Sequence, residues 1–490
     1  MPETRRPNIV LLCVDQWRGD CLSVDGHPVV QTPYLDQWAL DGTRFVRAYA
    51  ATPSCVPARA SLMTGLTPAT HGRVGYADGV SWNYPITMAG EFTRGGYQTE
   101  CIGKMHVYPE RNRLGFEHVQ LHDGFLHFAR ANNPDITRVD DYVPYLRRET
   151  GRPNEDYFDN GLNCNSYVVR PWDKEEYLHP TNWVVTQGIE FLRRRDTTKP
   201  FFLFLSFHRP HPPLDPPTWA FEQYIDEPMP TPPMGDWVED FYEYAPPGTK
   251  NRSADLSIGD LSDSQLQRAR AGYYGHMSHI DTQLNRFAES LTDFDASNTI
   301  LCFVSDHGEM LGDHRFFRKS VPYEGSARVP LVFRAPANLG WAKNQKRNEV
   351  VELRDIMPTL LDCAGIEIPD SVEGCSLLPM LRGESGEDWR PFVHGEHPTF
   401  GGSMHYITDE TSKYIWTSGT GAEQFFDMKN DPNELHNAIN DEAMQARIEA
   451  ARARLIESLQ GRPEGFVQDG RLVAGRKVLA VLPHILPNAV

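Results

Sequence analysis

Asn8-Ile9-Val10-Leu11-Leu12-Cys13-Val14 runs straight into Asp15-Gln16. A strand with one wet face alternates apolar and polar side chains, so six apolar residues in a row predict a strand covered on both faces. Such a strand belongs inside a parallel sheet packed between helices. Thr32-Pro33 then reads as a cap and first helical residue, with Leu35, Trp38 and Ala39 on one face and Gly42 closing the helix. Further strands are expected at 99–102, 201–207, 299–305 and 331–333, and helices after Cys55 and over 87–94, 182–194 and 262–291. The last opens on Ser262-Asp263-Ser264-Gln265, a capping box, and carries Met277, Ile280, Leu284 and Phe287 on one stripe. Strands interleaved with helices predict an α/β fold whose mostly parallel central sheet is sandwiched by helices.

After Asp388 the texture changes to short alternating runs, 404–407 and 413–416, followed by a charged amphipathic helix over 442–459. These predict a smaller C-terminal antiparallel sheet, hence a catalytic α/β domain over 1–388 and an α+β subdomain over 389–490. The stretches 107–180 and 212–260 are rich in Pro, Asn, Asp, Arg and Tyr and have no clean period. Long irregular loops on such a scaffold bind something or shape an entrance. The apolar run 478–486 suits docking on its own domain, with a homo-oligomer contact as the alternative. There are no internal repeats.

Composition excludes several classes. At 490 residues, with 40% hydrophobic and 23% charged, the chain is that of an ordinary globular protein. No segment approaches the roughly 18 apolar residues that span a bilayer. A net charge of -18 argues against nucleic acid, whose phosphates need a basic face. It also means that an anionic substrate must be drawn by a local cationic pocket working against the global field. The eight cysteines, at 13, 21, 55, 101, 164, 302, 363 and 375, lack paired spacing. With no apolar signal region after the basic start, they are expected to be reduced thiols in a cytoplasmic protein.

Ligands gather at the carboxyl ends of strands in open parallel sheets. Asp15-Gln16 and Asp306-His307-Gly308 both fall there. Either dipeptide alone is ordinary turn chemistry. Together, Asp15, Gln16, Asp306 and His307 offer oxygens and one imidazole, a set that favours Ca²⁺, Mg²⁺ or Mn²⁺ over zinc. Cys55 is the other singular residue. A free cysteine is usually a buried thiol, but this one opens Cys55-Val56-Pro57-Ala58-Arg59 and the run ends in Thr64-Gly65.

That run resembles the signature of the sulfatase family in the alkaline phosphatase superfamily. The resemblance extends through Gly103-Lys104-Met105-His106, Pro210-His211-Pro212 and Lys319-Ser320-Val321-Pro322-Tyr323-Glu324-Gly325 to the late segment Phe425 to Glu434. It implies that a formylglycine-generating or equivalent maturation enzyme oxidises Cys55 to formylglycine, whose hydrate is the nucleophile. It implies one divalent ion, Ca²⁺ first and Mn²⁺ or Mg²⁺ as alternatives, held by Asp15, Gln16, the Cys55-derived side chain, Asp306 and His307. Arg59 and Lys104 would then hold the diol and the sulfate oxygens. His106 would orient or deprotonate the diol, and His211 and Lys319 would contact the ester oxygen and the sulfate. His208 has no firm family role and is read only as a substrate contact. The substrate would be a small aryl or carbohydrate sulfate.

The chemistry is coherent without the family name. A sulfate monoester repels an anionic nucleophile, so its site needs a cation on one side and positive donors on the other. Two departures stand out: Gln16 and His307 occupy places where an aspartate and an asparagine are usual, which raises Mn²⁺. The same pairs resemble phosphonate monoester hydrolases, close relatives that lack the Lys104-x-His106 found here. A third reading is a non-catalytic anion-binding protein whose Cys55 is never converted.

Overall fold

The structure, a computed structural model, describes residues 5–124, 127–156, 160–244 and 255–486. Among these, the centre is a nine-stranded sheet. Its strands are β1 (Asn8–Asp15), β2 (Thr43–Tyr49), β3 (Gln98–Gly103), β4 (His118–Leu121), β5 (Phe201–Pro210), β6 (Thr299–Ser305), β7 (Arg328–Arg334), β8 (Gln345–Arg347) and β9 (Val351–Glu352). They lie in the order β4-β3-β5-β1-β6-β7-β2-β8, with β9 also beside β2. Pairing is parallel from β4 to β6, and β7 runs antiparallel to β6 and β2.

Every residue of β1 is buried. Ile9, Leu11 and Cys13 pack on one face with Phe202, Phe204, Cys302 and Val304. Val10, Leu12 and Val14 pack on the other with Leu203, Leu205, Met277, Ile280, Leu284 and Phe287. Each fully buried aliphatic or aromatic side chain is worth about 1.5–3 kcal/mol, so both faces of this strand select apolar residues. The stripe on the helix Asp263–Leu291 is what covers the second face.

A separate antiparallel sheet holds β10 (Val393–Thr399), β11 (Gly402–Thr408), β12 (Lys413–Thr417) and β13 (Glu423–Phe426). The helix Gln445–Leu459 covers it through Ile448, Ala451, Leu455 and Leu459. This sheet joins the first by Glu396 N–H donating to Ala51 O (2.7 Å) and Tyr406 Oη–H donating to Ala50 O (2.9 Å).

Some local expectations change. Thr32 does not cap α1 (Pro33–Asp41). Its hydroxyl turns to Asp36, and Asp281 of the long helix accepts the N–H groups of Tyr34 (3.1 Å) and Leu35 (2.8 Å). The supposedly irregular stretches contain β4 and the helices Tyr142–Thr150 and Thr218–Ile225, too short to declare a period. Residues 245–254 of the second stretch lie outside the described residues. The tail docks on its own chain: Val74 and Gly75 N–H donate to Ala480 O, and Leu482 N–H donates to Gly72 O. Among the described residues no helix is long and apolar enough to cross a membrane.

Register brings four strand ends together. Val14 of β1 faces Ser305 of β6, Asp15 faces Pro210 of β5, and Gly103 of β3 faces Ser206. Gly103 has φ +101°, and a Cβ there would sit 1.9 Å from Ser206 O. Only glycine lets β3 close onto β5 and turn Lys104 into the gap.

Candidate active site

Cys55 is the first residue of α2 (Cys55–Thr64), and it is buried where the strand ends meet. Its Sγ lies 3.3 Å from His307 Nε2, 3.4 Å from Lys319 Nζ and 3.8 Å from Asp15 Oδ1. His307 Nδ1 faces Gly308 O at 2.9 Å. A carbonyl only accepts, so Nδ1 carries a hydrogen and Nε2 is the nitrogen left for a cation, proton or metal. Nε2 looks toward Asp15 Oδ1 (3.3 Å) and Asp306 Oδ1 (3.6 Å). Asp15, Cys55, Asp306 and His307 each present one ligand atom, all within 4.8 Å of one another. Two buried carboxylates beside an imidazole lone pair fit a divalent cation, since like charges this close need a positive partner.

The remaining expected residues surround this group. Lys104 Nζ pairs with Asp15 Oδ2, and both are buried. Lys319 Nζ donates to Gln16 Oε1 at 2.7 Å, while Gln16 Nε2 donates to Glu309. The amide of Gln16 is therefore held from both ends, its Oε1 keeping one further lone pair. Arg59 is fully buried. It donates to Asp306 Oδ2 (2.8 Å), Lys104 O (2.8 Å) and Ser206 Oγ (2.9 Å). Its guanidinium thus serves the carboxylate beneath the cavity, and it is not among the side chains that line the cavity itself.

Charge shapes the site. Burial alone would raise Asp15, but the ammonium groups beside it, Lys104 foremost and then Lys319, outweigh it and hold the carboxyl well below its usual range. Burial and Asp15 push the Cys55 thiol up, and Lys104, Lys319 and His307 bring it down to about 6. Burial, reinforced by Lys104, lowers His106 to about 3. Burial also lowers His208 and His211 far below neutrality, assisted by Arg209 and Lys319 respectively.

Above these groups opens a cavity of about 510 Å³, within the range of small-molecule sites. Cys55, Lys104, His106, His208, His211 and Lys319 all line it. Asp15, Gln16, Asp306, His307 and Arg59 lie beneath. Sequence reading missed Glu309, which accepts from Gln16, Tyr167 (3.0 Å), Leu311 N–H (2.8 Å) and Arg318 N–H (2.6 Å). Its place three residues after Asp306 was the available signal. It also missed Asp123, which accepts the N–H groups of Met105 (2.7 Å) and His106 (2.9 Å) and fixes the turn at His106, φ +59°. His397 and Phe400 reach the cavity from the second sheet, with no local signal at all.

A sequence model described as Sulfatase matches residues 7–366. The chain belongs to the sulfatase family. A second, described as N-sulphoglucosamine sulphohydrolase, C-terminal, matches residues 312–461 of this sulfatase. It is 52% identical over 488 residues to an arylsulfatase of Clostridium perfringens, covering 98% of this chain and 100% of that one. It is 30% identical over 445 residues to a choline-sulfatase of Rhizobium meliloti, covering 89% and 82%. Among solved structures, the phosphonate monoester hydrolase of Agrobacterium radiobacter matches with TM-score 0.77 and 27% identity, covering 92% of this chain and 95% of that one. The sulfatase is an enzyme, a sulfuric ester hydrolase.

Proposed function

We propose that this sulfatase hydrolyses an aryl or carbohydrate sulfate monoester in the cavity above Cys55, with Cys55 matured to formylglycine beside a divalent cation. The observation that carries the reading is the placement of Cys55 Sγ within 4 Å of Asp15, His307 and Lys319, at the meeting point of four strand ends. Asp15, Asp306 and His307 would hold the cation, with Gln16 Oε1 completing the set. Ca²⁺ and, as an alternative, Mg²⁺ suit the oxygens, and the His307 nitrogen raises Mn²⁺ as the other alternative. When bound, the cation offsets the charge of the carboxylates and lowers the pKa of a hydroxyl at position 55. Formylglycine supplies, as its hydrate, one hydroxyl for attack at sulfur and a second for release of sulfate.

The chain's own residues do the rest. Lys104 and Lys319 place positive charge against the sulfate oxygens on the Cys55 side, in a protein whose net charge is -18. Arg59 is a positioning residue that fixes Asp306. His106 and His211 are neutral imidazoles at the cavity wall, able to accept a proton and pass it on. His211 Nδ1–H donates to Pro212 O at 2.8 Å, which leaves Nε2 as the basic atom. The reading includes a maturation enzyme as partner and a cytoplasmic location, the latter supported by cysteines without paired spacing. It divides the chain at 388/389, supported by the separate four-stranded sheet.

Phosphonate monoester hydrolysis is the second reading, favoured by the structural likeness above and opposed by the added cation at Lys104. Turnover of 4-nitrophenyl sulfate against a 4-nitrophenyl phosphonate monoester, with matched metal, separates the two. A strong preference for the phosphonate would reject the sulfate reading. Peptide mass spectrometry across Cys55 tests maturation, and an unmodified, inactive protein from a competent host would support the anion-binding reading.

A further inference from the structure

Two histidines face the cavity from the end of β5, and their hydrogen bonds set them in opposite tautomers. His208 and His211 stand with ring centroids 5.2 Å apart. His211 Nδ1 donates to Pro212 O, so its Nε2 is a lone pair. His208 Nδ1 instead contacts Arg209 Nη1. A guanidinium only donates, so His208 Nδ1 must accept and its Nε2 must carry the hydrogen.

Arg209 cannot turn away from this contact. Its Nε and Nη2 donate to the two oxygens of Asp215 at 2.8 and 2.9 Å, with both side chains fully buried. Asp215 stands with His179 and His276 in a cluster that has the residue types of a cation site. Its hydrogen bonds say otherwise. His179 Nδ1 accepts Thr181 N–H at 3.1 Å, so the nitrogen it turns to Asp215 is an N–H and not a lone pair. Arg209 already supplies the positive charge on both oxygens of Asp215. The cluster is the anchor of Arg209.

His208 lines the cavity, and among the described residues its Nε2 has no hydrogen-bond partner. Gly124 makes room for it. That residue has φ +77°, and a Cβ there would stand 2.4 Å from both Cδ2 and Nε2 of His208. In an in-line displacement the departing oxygen lies opposite the nucleophile. Lys104 and Lys319 are committed to the Cys55 side through Asp15, Gln16 and the thiol itself. The far oxygen needs a further donor, and of the two histidines at the end of β5 it is His208 whose Nε2 carries a hydrogen.

Building on the sulfate-ester reading, we propose that His208 is a further catalytic residue, whose Nε2–H, set by the Arg209–Asp215 pair, donates a hydrogen bond to the departing ester oxygen. The S–O bond breaks with its electron pair going to that oxygen. The contact stabilises the charge and transfers no proton.

The test pairs His208→Phe, which removes the donor, with His208→Gln, which keeps an N–H. Both are assayed on aryl sulfates whose phenols span a range of pKa. The expected loss in kcat/KM for His208→Phe grows with phenol pKa, reaching on the order of 10²-fold for the poorest leaving group, and His208→Gln restores most of it. A loss independent of the phenol overturns the proposal. Nitrogen-15 histidine NMR of the wild-type protein reads the tautomers without any turnover. His208 should be protonated at Nε2 and His211 at Nδ1, and a proton on His208 Nδ1 overturns the assignment even if a variant fails to fold. If the wild type turns over no aryl sulfate while the tautomers are as assigned, the sulfate reading has failed and so has the role given to His208, but not its placement.

Discussion

Arg59 Nε lies 2.8 Å from Asp306 Oδ2, and neither side chain reaches solvent. Opposite charges this deep are tolerated because each satisfies the other. Removing one leaves the second buried and uncompensated. Arg59→Met should therefore destabilise the fold by about 3–5 kcal/mol, read as a lower midpoint in chemical denaturation. An unchanged midpoint would show that the pair contributes nothing to stability.

A similar arrangement ties the second sheet to the site. Lys413 of β12 is buried and donates to Glu324 Oε1 (2.7 Å), Glu434 Oε1 (2.7 Å) and Pro322 O (2.9 Å). Pro322 and Glu324 lie on the loop that begins at Lys319, and Glu434 accepts the Glu324 N–H at 2.8 Å. Lys413→Met should leave Glu434 without a cation, while Glu324 keeps Arg328 at 2.8 Å, and should let the loop drift, lowering kcat/KM by up to about 10²-fold. Steady-state kinetics alongside a thermal melt would check it. Wild-type kinetics in a folded variant would refute the link.

Acid stability has a defined source in Glu396. Burial alone would raise its pKa, but Arg462, at 2.7 and 3.0 Å, holds it down at about 2, against 4.5 ordinarily. A carboxyl depressed on folding stabilises fully above pH 4.5 and loses that contribution as pH falls toward 2. The gap corresponds to roughly 3 kcal/mol at neutral pH. Glu396→Gln should be less stable than wild type at pH 7 and converge with it near pH 2. Parallel stability curves across that window would contradict the assignment.

Chelation tests the carboxylate group at the strand ends. An ion bound to the folded state alone stabilises it by about 2.7 kcal/mol at a hundred times its Kd. Stripping the protein should lower both its melting temperature and its activity, and refilling with Ca²⁺ or Mn²⁺ should restore both. Asp15→Asn and Asp306→Asn should reduce the bound metal in elemental analysis. Equal metal in variants and wild type would remove these residues from the ligand set.

Much of the site was legible because its pieces are local. Asp15 follows a doubly covered strand, Asp306 follows another, and Cys55 opens a helix, so each announces its position along the chain. The small antiparallel sheet was legible from alternation at 404–407 and 413–416. β2 was not, because its residues are only partly covered and alternate weakly. Asp281 as the cap of α1 was invisible, since it lies 246 residues from Leu35.

The sequence by itself determined that strands and helices alternate, that acidic groups sit at strand ends, and that one cysteine stands in a distinctive run at a helix start. Those are properties of neighbours along the chain, set by periodicity and backbone chemistry. Tertiary structure alone decided that Arg59 serves Asp306, that His397 and Phe400 reach the cavity, and that Nε2 is an N–H on His208 but a lone pair on His211. The reason is physical: a side chain's partner and tautomer are set by whatever donor or acceptor the fold brings within about 3 Å, and here those groups come from strands and loops far apart in sequence.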